Sequence, residues 1–417
     1  LCRQPCRRIY SKDNNEKYLF NLKDNQQIEL VSEFKKMGIS SLKIEGRMKS
    51  AEYVYNTAKA YRMALDNEEK AKIMEAISKD LAREKTGYFM SGNVAGSITD
   101  KPYTGKHIGD VHQRSAKMFK FYSKYEPVKG NRLRVLPKSG RDTAAFKLKE
   151  NFSYESSGDG YLITINQENN FEVSDKIFLI GFGDLKFKSK FTLDAKKINL
   201  RMPKGKSQNI LNKIGSSKTS NKEQIYVRID SIKWMMKLYL PKVDAVILRF
   251  NREDWQKFNP ETGFIQKNIN KLIIELPKFI SETDIEFYRD LCSKMYRSGI
   301  KQFMLSHISQ KLILPKKMDL RISTNENVYT LNDAAIQMLK EENIGLYLYP
   351  QEDDFPNLLA GKDRQGIMPL YFYPELFYSR MPVDIANDEE FKDKTDSFRK
   401  TVVDGITVVL PNRPVSF

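Results

Sequence analysis

The stretch that most constrains this chain is Ser41-Leu42-Lys43-Ile44-Glu45-Gly46-Arg47-Met48-Lys49-Ser50. Leu42 and Ile44 predict one short buried strand. Lys43, Glu45 and Arg47 put three charges at or just past its C-terminal end. Gly46 suits a tight turn, because glycine tolerates positive φ. Ser50 is a good helix N-cap, and Glu52 sits in the first turn, where the helix dipole favours an anion. Val54, Ala58, Tyr61 and Leu65 follow at helical spacing, so a packed helix is expected to about Leu65. A strand, a charged turn and a helix in that order form the kind of junction at which α/β proteins bind ligands.

Upstream, Leu1-Cys2-Arg3-Gln4-Pro5-Cys6-Arg7-Arg8 places two thiols four residues apart on a basic loop. The chain holds three cysteines, an odd number that argues against a disulfide scaffold and for a reducing, cytoplasmic setting. No run of about 18 apolar residues occurs, so no membrane span is expected. The chain lacks an initiator Met and opens inside a motif, and it is read as a piece of a longer protein.

A length of 417 residues predicts two or three domains. The formal charge of +17 is uneven: between Lys101 and Gln224 there are 25 Lys and Arg against 12 Asp and Glu, a net of +13. Such a region is an electrostatic footprint for nucleic acid or another polyanion, or a solvated Lys-rich surface. Four segments follow. Residues 1–100 carry the cysteine loop, the charged junction and helices at 28–36, ended by Gly38, and 68–85. They look like the closing part of a larger α/β barrel. Residues 101–203 show short alternating runs at 118–122, 132–136, 144–148, 161–165, 176–179 and 191–194, broken by turn residues, which suggests a small antiparallel β-barrel. Residues 204–224 are polar and read as a linker. Residues 225–417 alternate apolar runs with helical patterns. Eight candidate strands (226–229, 245–250, 272–276, 302–306, 321–324, 345–349, 369–373 and 406–410), with helices such as 282–297 and 331–342, fit a second (βα)-barrel. Asp230, Arg249, Glu275, His307, Asn325, Arg380 and Asn412 would ring one mouth of it.

Three blocks, Cys2-Arg-Gln-Pro-Cys6-Arg7, Tyr18-Leu-Phe-Asn-Leu-Lys-Asp24 and Lys43-Ile-Glu-Gly-Arg-Met-Lys49, resemble the collagenase-like peptidase family, U-thirty-two in the peptidase classification. The resemblance implies a TIM-barrel-like N-terminal domain. It also implies one of two activities, since the family is filed under peptidases while several members are RNA or quinone hydroxylation factors. RNA-acting members hydroxylate a pyrimidine in rRNA or tRNA, hold an iron–sulfur cluster on cysteines and depend on prephenate. Carried over, Cys2 and Cys6 would be two ligands of a 4Fe–4S cluster. Many members have a further Cys just after the Lys-Asp pair, where this chain has Asn25-Gln26-Gln27, so the cluster is incomplete within this chain.

The residues weigh the same alternatives. No His-Glu-x-x-His or Gly-x-Ser-x-Gly occurs, and the three histidines, His107, His112 and His307, lie in turn-rich or strand-end positions. Cys-x-x-x-Cys lets two thiolates reach one cluster, with Arg3, Arg7 and Arg8 to lower their pKa. Cys292, on a helical pattern, reads as a core thiol. Lys43, Glu45 and Arg47 read either as a salt-bridged junction or as a catalytic anion site, with Arg47 suited to a carboxylate or phosphate and Glu45 orienting it or acting as a base. Phe119, Phe121, Tyr122 and Tyr125 interleave with Lys117, Lys120, Lys124 and Lys129. Rings beside cations suit single-stranded RNA, with Lys117, Lys120, Phe121 and Lys124 as contacts, although alternation buries half of the rings. The leading expectation is an RNA-modifying hydroxylation enzyme; the alternatives are a peptidase acting on a peptide substrate and a non-catalytic scaffold.

Overall fold

The computed structural model describes all residues except 1–4, 14, 47–48, 88–89, 91–93, 95, 101–104, 138–143, 184–208, 210–211, 213, 215–222, 236, 318 and 417. The chain is mixed α/β and divides into two compact units. One comprises residues 1–193 and 379–397; the other comprises 194–378 and 398–417.

In the first unit, β1 (Tyr10–Lys12) and β2 (Asn15–Lys17) form an antiparallel hairpin, and Ser11 pairs with Lys392 of the strand Glu390–Lys392. Tyr10, Phe20 and Phe391 pack edge-on or tilted beneath it, with centroids 5.1–5.9 Å apart. A two-residue parallel ladder joins β3 (Asp24–Asn25) to β4 (Lys85–Thr86). Between them lie α1 (Val31–Lys36), α2 (Ala51–Leu65) and α3 (Lys70–Ser78). Gly38, at φ +77°, ends α1 as expected. Ile39 N–H donates to Phe34 O and Gly38 N–H to Lys35 O, which satisfies the last carbonyls of that helix.

The strand expected at 41–46 does not form. Burial alternates there with period two, but no strand pairs with it among the described residues, and an extended segment without a ladder is not a strand. The helix expected at 68–85 is shorter, because Asp80 and the turn after it redirect the chain toward β4.

The basic segment folds as seven antiparallel strands: β5 (Lys106–Ser115), β6 (Met118–Ser123), β7 (Arg132–Leu136), β8 (Ala144–Lys147), β9 (Phe152–Ser157), β10 (Gly160–Ile165) and β11 (Lys176–Gly181). Their order is β8-β7-β11-β5-β6-β10-β9. One core of Val111, Phe119, Phe121, Val135, Ile163 and Ile177, each at most 1% exposed, holds them. The run expected at 191–194 and most of the linker expected at 204–224 lie outside the described residues.

The second unit is built on six parallel strands in sequence order: β12 (Tyr226–Ile229), β13 (Ala245–Leu248), β14 (Leu272–Glu275), β15 (Gln302–Leu305), β16 (Arg321–Thr324) and β17 (Ile344–Tyr347). Helices α4 (Arg252–Lys257), α5 (Gly263–Lys267), α6 (Ile285–Arg297), α7 (Asp333–Glu341) and α8 (Phe355–Ala360) alternate with them. Val246, Leu248, Ile274, Phe303 and Leu305 face the helix side, where Trp255, Tyr288, Cys292 and Met295 cover them. Ala245, Ile247, Ile273, Met304 and Leu348 make a smaller cluster on the opposite face. The eight-strand count is corrected. Tyr371–Phe372 pairs antiparallel with Val415–Ser416, and 406–411 pairs antiparallel with 398–403. An apolar run does not disclose which way its partner points.

Candidate functional site

The N-terminal sequence blocks meet at Asp24. Arg83 places Nη2 2.6 Å and Nε 2.9 Å from Asp24 Oδ1. Lys49 Nζ is 3.4 Å and Lys85 Nζ 3.8 Å from Oδ2. Lys85 also pairs with the nearly buried Asp80 at 2.7 Å. The Asp24 side chain is 18% exposed, so three cations converge on a largely desolvated carboxylate. Lys49 lies over the Tyr53 ring, 5.1 Å from its centroid. Burial, with Asp80 and Asp24 nearby, pushes the Tyr53 hydroxyl up to about 12. Ser50 caps α2 by accepting from Tyr53 N–H, as its position predicted. Glu52 goes further than the expected dipole role. Its carboxylate accepts from Phe182 N–H at 3.2 Å and Gly183 N–H at 3.5 Å, which ties α2 to the end of β11.

Gly46 is needed for a different reason than expected. It does not adopt positive φ; a Cβ there would stand 2.4 Å from Val54 Cγ2, so the residue permits the chain to pass close over α2. Lys43 and Glu45 are exposed and pair with each other at 2.8 Å, which holds the Lys43 ammonium above its ordinary pKa through that hydrogen bond. Arg47 and Cys2 lie outside the described residues. Cys6 sits half-buried in the turn Pro5–Arg7. Arg7 donates to Asn21 Oδ1 at 2.6 Å and Arg8 pairs with Asp393 at 2.9 Å, so both guanidinium groups are engaged elsewhere than at the thiol.

On the β-domain, strand parity sorts the predicted contacts. Phe121 is corrected: it is 0% exposed, points inward with Phe119 and belongs to the core. The outward face of β6 carries Lys120 and Tyr122. Tyr122 is 48% exposed and packs against the exposed His112 of β5, ring centroids 5.1 Å apart. By sequence alone His112 falls in a turn-rich segment and is not counted among the RNA contacts; a bulge between Val111 and Gln113 breaks the alternation of β5 there. Lys117 is exposed at the β5–β6 turn, beside Arg114 and Ser115. Lys124 is exposed and pairs with Asp159 at 2.5 Å.

In the second unit, Arg249, Glu275 and Asn325 gather at the C-terminal ends of the parallel strands. Asp230 is exposed. His307 is also exposed; its Nδ1 contacts Ser309 Oγ at 2.7 Å and its ring caps the next turn. Arg380 and Asn412 belong to no strand of the parallel sheet. Among the described residues no three His, Cys, Asp or Glu side chains group as a metal site, and no helix is long and apolar enough to cross a membrane.

Comparison with known proteins places residues 1–100 on the model of peptidase family U32. The chain is 26% identical over 194 residues to tRNA hydroxylation protein P of Escherichia coli, covering 41% of each chain. It is 32% identical over 133 residues to the Escherichia coli 23S rRNA 5-hydroxycytidine synthase, covering 26% of this chain and 20% of that one. It is 40% identical over 77 residues to an uncharacterized protease of Methanocaldococcus jannaschii, covering 16% and 19%. The chain thus spans less than half the length of these curated relatives. No solved structure matches. The matched segment, residues 1–100, holds the Asp24 and Lys49 blocks, and in that segment the chain is similar to peptidase family U32.

Proposed function

We propose that this chain is part of an RNA-modifying enzyme that hydroxylates a pyrimidine in tRNA or rRNA. The observation that carries this reading is the similarity to two relatives named for tRNA hydroxylation and for 5-hydroxycytidine synthesis in rRNA. The surface chemistry supports it: the net charge of +17 favours a polyanion, and Tyr122, His112, Lys120 and Lys117 offer stacking rings beside cations. In this reading the β5–β6 face carries RNA, and Lys43 and Arg47, steered by Glu45, contact a carboxylate co-substrate such as prephenate.

A four-thiolate cluster does not fit this sequence alone. The chain has three cysteines, and Cys292 lies buried in the second unit with its thiol pushed up to about 12 by desolvation. Cys2 and Cys6 remain as two proposed ligands, and no reaction step is derived through the cluster. The peptidase alternative draws on the family's name and on the relative named as a protease.

The test is nucleoside mass spectrometry of tRNA and rRNA from cells with and without the gene. Loss of a pyrimidine one oxygen heavier than its parent supports the reading. An unchanged nucleoside profile, together with peptide hydrolysis by the purified protein, would move the peptidase reading ahead.

A further inference from the structure

The second unit carries a charged cluster that the RNA reading does not use. Side-chain parity puts Arg228, Arg249, Glu275, Ser306 and Asn325 on the same face as Ala245, Ile247, Ile273 and Met304, at the C-terminal end of the sheet. In parallel α/β folds ligand sites lie at the carboxyl ends of the strands.

The cluster has two layers. Behind lie three carboxylates: Glu275 is 1% exposed, Glu326 7% and Glu375 10%. In front lie three cations: Arg228 is 26% exposed, Arg249 28% and Lys278 22%. Arg228 grips Glu326 through Nη1 at 3.2 Å and Nη2 at 2.8 Å, and its Nε lies 2.8 Å from Glu275 Oε2. Glu275 Oε1 accepts from Asn325 Nδ2 at 2.8 Å, and the same Nδ2 reaches Ser306 Oγ at 2.6 Å. Glu375 is shared between Arg249 and Lys278, the latter at 2.7 Å.

The carboxylates therefore act as anchors that orient the cations. Arg228 is held between Glu326 and Glu275, whereas Arg249 donates to Glu375 through Nη2 only among the described residues. Its Nε and Nη1 meet no acceptor among the described residues. Lys278 touches Glu375 and the Tyr378 ring, which leaves ammonium protons unpaired. What the cluster offers to solvent is a fixed guanidinium edge beside an ammonium. A preoriented guanidinium fork matches a planar or tetrahedral oxyanion. The cations are recessed, which suits a monomeric ligand better than a polymer backbone.

We propose that this strand-end cluster is a binding site for a small-molecule oxyanion, a carboxylate or phosphate group, contacted by Arg249 and Lys278 and backed by Arg228. The proposal is independent of the RNA reading.

The test uses the full 417-residue chain, calorimetric titration with inorganic phosphate and with malonate, and the variants Arg249→Lys, Lys278→Gln and Lys237→Gln. Saturable binding of at least one anion is expected, weakened about tenfold or more in the first two variants and unchanged in the third. Preference for phosphate or for malonate identifies which oxyanion the site takes. Far-ultraviolet circular dichroism confirms that each variant is folded, and Lys278→Gln decides the matter should Arg249→Lys not fold. No saturable binding, equal binding by all variants, or displacement only by an RNA oligonucleotide would overturn the proposal.

Discussion

Lys49 Nζ stands 3.4 Å from Asp24 Oδ2, so two sequence blocks twenty-five residues apart close on one ion pair. Arg83 and Lys85 complete the cage around the same carboxylate. Replacing Asp24 by Asn removes the one negative charge that, among the described residues, these three cations share, while keeping the volume. The expected loss is about 2–4 kcal/mol, near the figure for breaking a mostly desolvated pair. Lys49→Met removes the longest of the closer contacts and costs about 1 kcal/mol. Urea midpoints of the two variants check the order, and an Asp24→Asn variant as stable as the parent would refute it.

Gly46→Ala tests the close passage over α2. The added methyl meets Val54 Cγ2, a branched side chain whose χ1 is restricted on a helix. The expected destabilisation is about 1–3 kcal/mol, as for other overpacked contacts. Gly46→Ala/Val54→Ala should recover most of it. If the double variant loses as much as the sum of the singles, the contact is not the reason for the glycine.

How far the sequence disclosed these features follows from what each depends on. The inner parallel strands were the most legible, because every residue of Ala245–Leu248 and Leu272–Glu275 is buried and Ala245–Leu248 reads as an unbroken apolar run. The segment 41–46 misled because alternation records burial and not pairing; Leu42 and Ile44 are half-buried without a ladder. The cage at Asp24 was only half visible. Lys23-Asp24 and Lys49 stood out as blocks, but Arg83 joins them from a turn with no pattern of its own. The oxyanion cluster in the second unit drew attention to Arg249, Glu275 and Asn325, while Arg228, Lys278, Glu326 and Glu375 needed the register of the sheet and the loops beyond it.

Tyr122 and Phe121 are neighbours with opposite fates, and that contrast makes the RNA face testable. Tyr122→Ala should leave the fold intact and weaken single-stranded RNA binding by the worth of one stacked base, about 1–3 kcal/mol. Phe121→Ala should instead destabilise the β-domain by about 3–5 kcal/mol, because it opens a cavity in a core where Phe121 is fully buried. Lys117→Gln should lower the salt slope of binding by about one unit. Fluorescence anisotropy over a salt series, with thermal melts alongside, separates these outcomes; Tyr122→Ala binding RNA as tightly as the parent would remove this face from the reading.

The two described thiols should differ in reactivity. Cys292 is 0% exposed among Leu291, Met295 and the strands beneath α6, and desolvation pushes its thiol up to about 12. It should resist a maleimide until the second unit unfolds, while half-buried Cys6 is labelled in the folded protein. Peptide mapping after a short exposure gives the answer, and rapid labelling of Cys292 in native protein would contradict the packing of α6.

Acid should loosen the second unit through Glu326. Burial alone would raise this carboxyl, but the facing Arg228 guanidinium overrides it and holds the group at about 2, against an ordinary 4.5. Glu375 is shifted in the same direction by Arg249 and Lys278 against the same desolvation. A carboxylate depressed on folding stabilises at pH above its unfolded value, and that contribution fades as pH falls from about 4.5 toward 2. For Glu326 the loss amounts to about 3 kcal/mol at most. Both tryptophans, Trp234 and Trp255, lie in this unit, so tryptophan fluorescence follows its unfolding selectively. Urea titrations between pH 7 and pH 3 should show the midpoint falling steeply below pH 4.5. Glu326→Gln, which cannot titrate, should be less stable than the parent at pH 7 and show a shallower acid limb. Parallel pH profiles for parent and variant would mean that the Arg228–Glu326 pair is not ionised in the fold, and that the recessed cations lack the anchor on which their orientation depends.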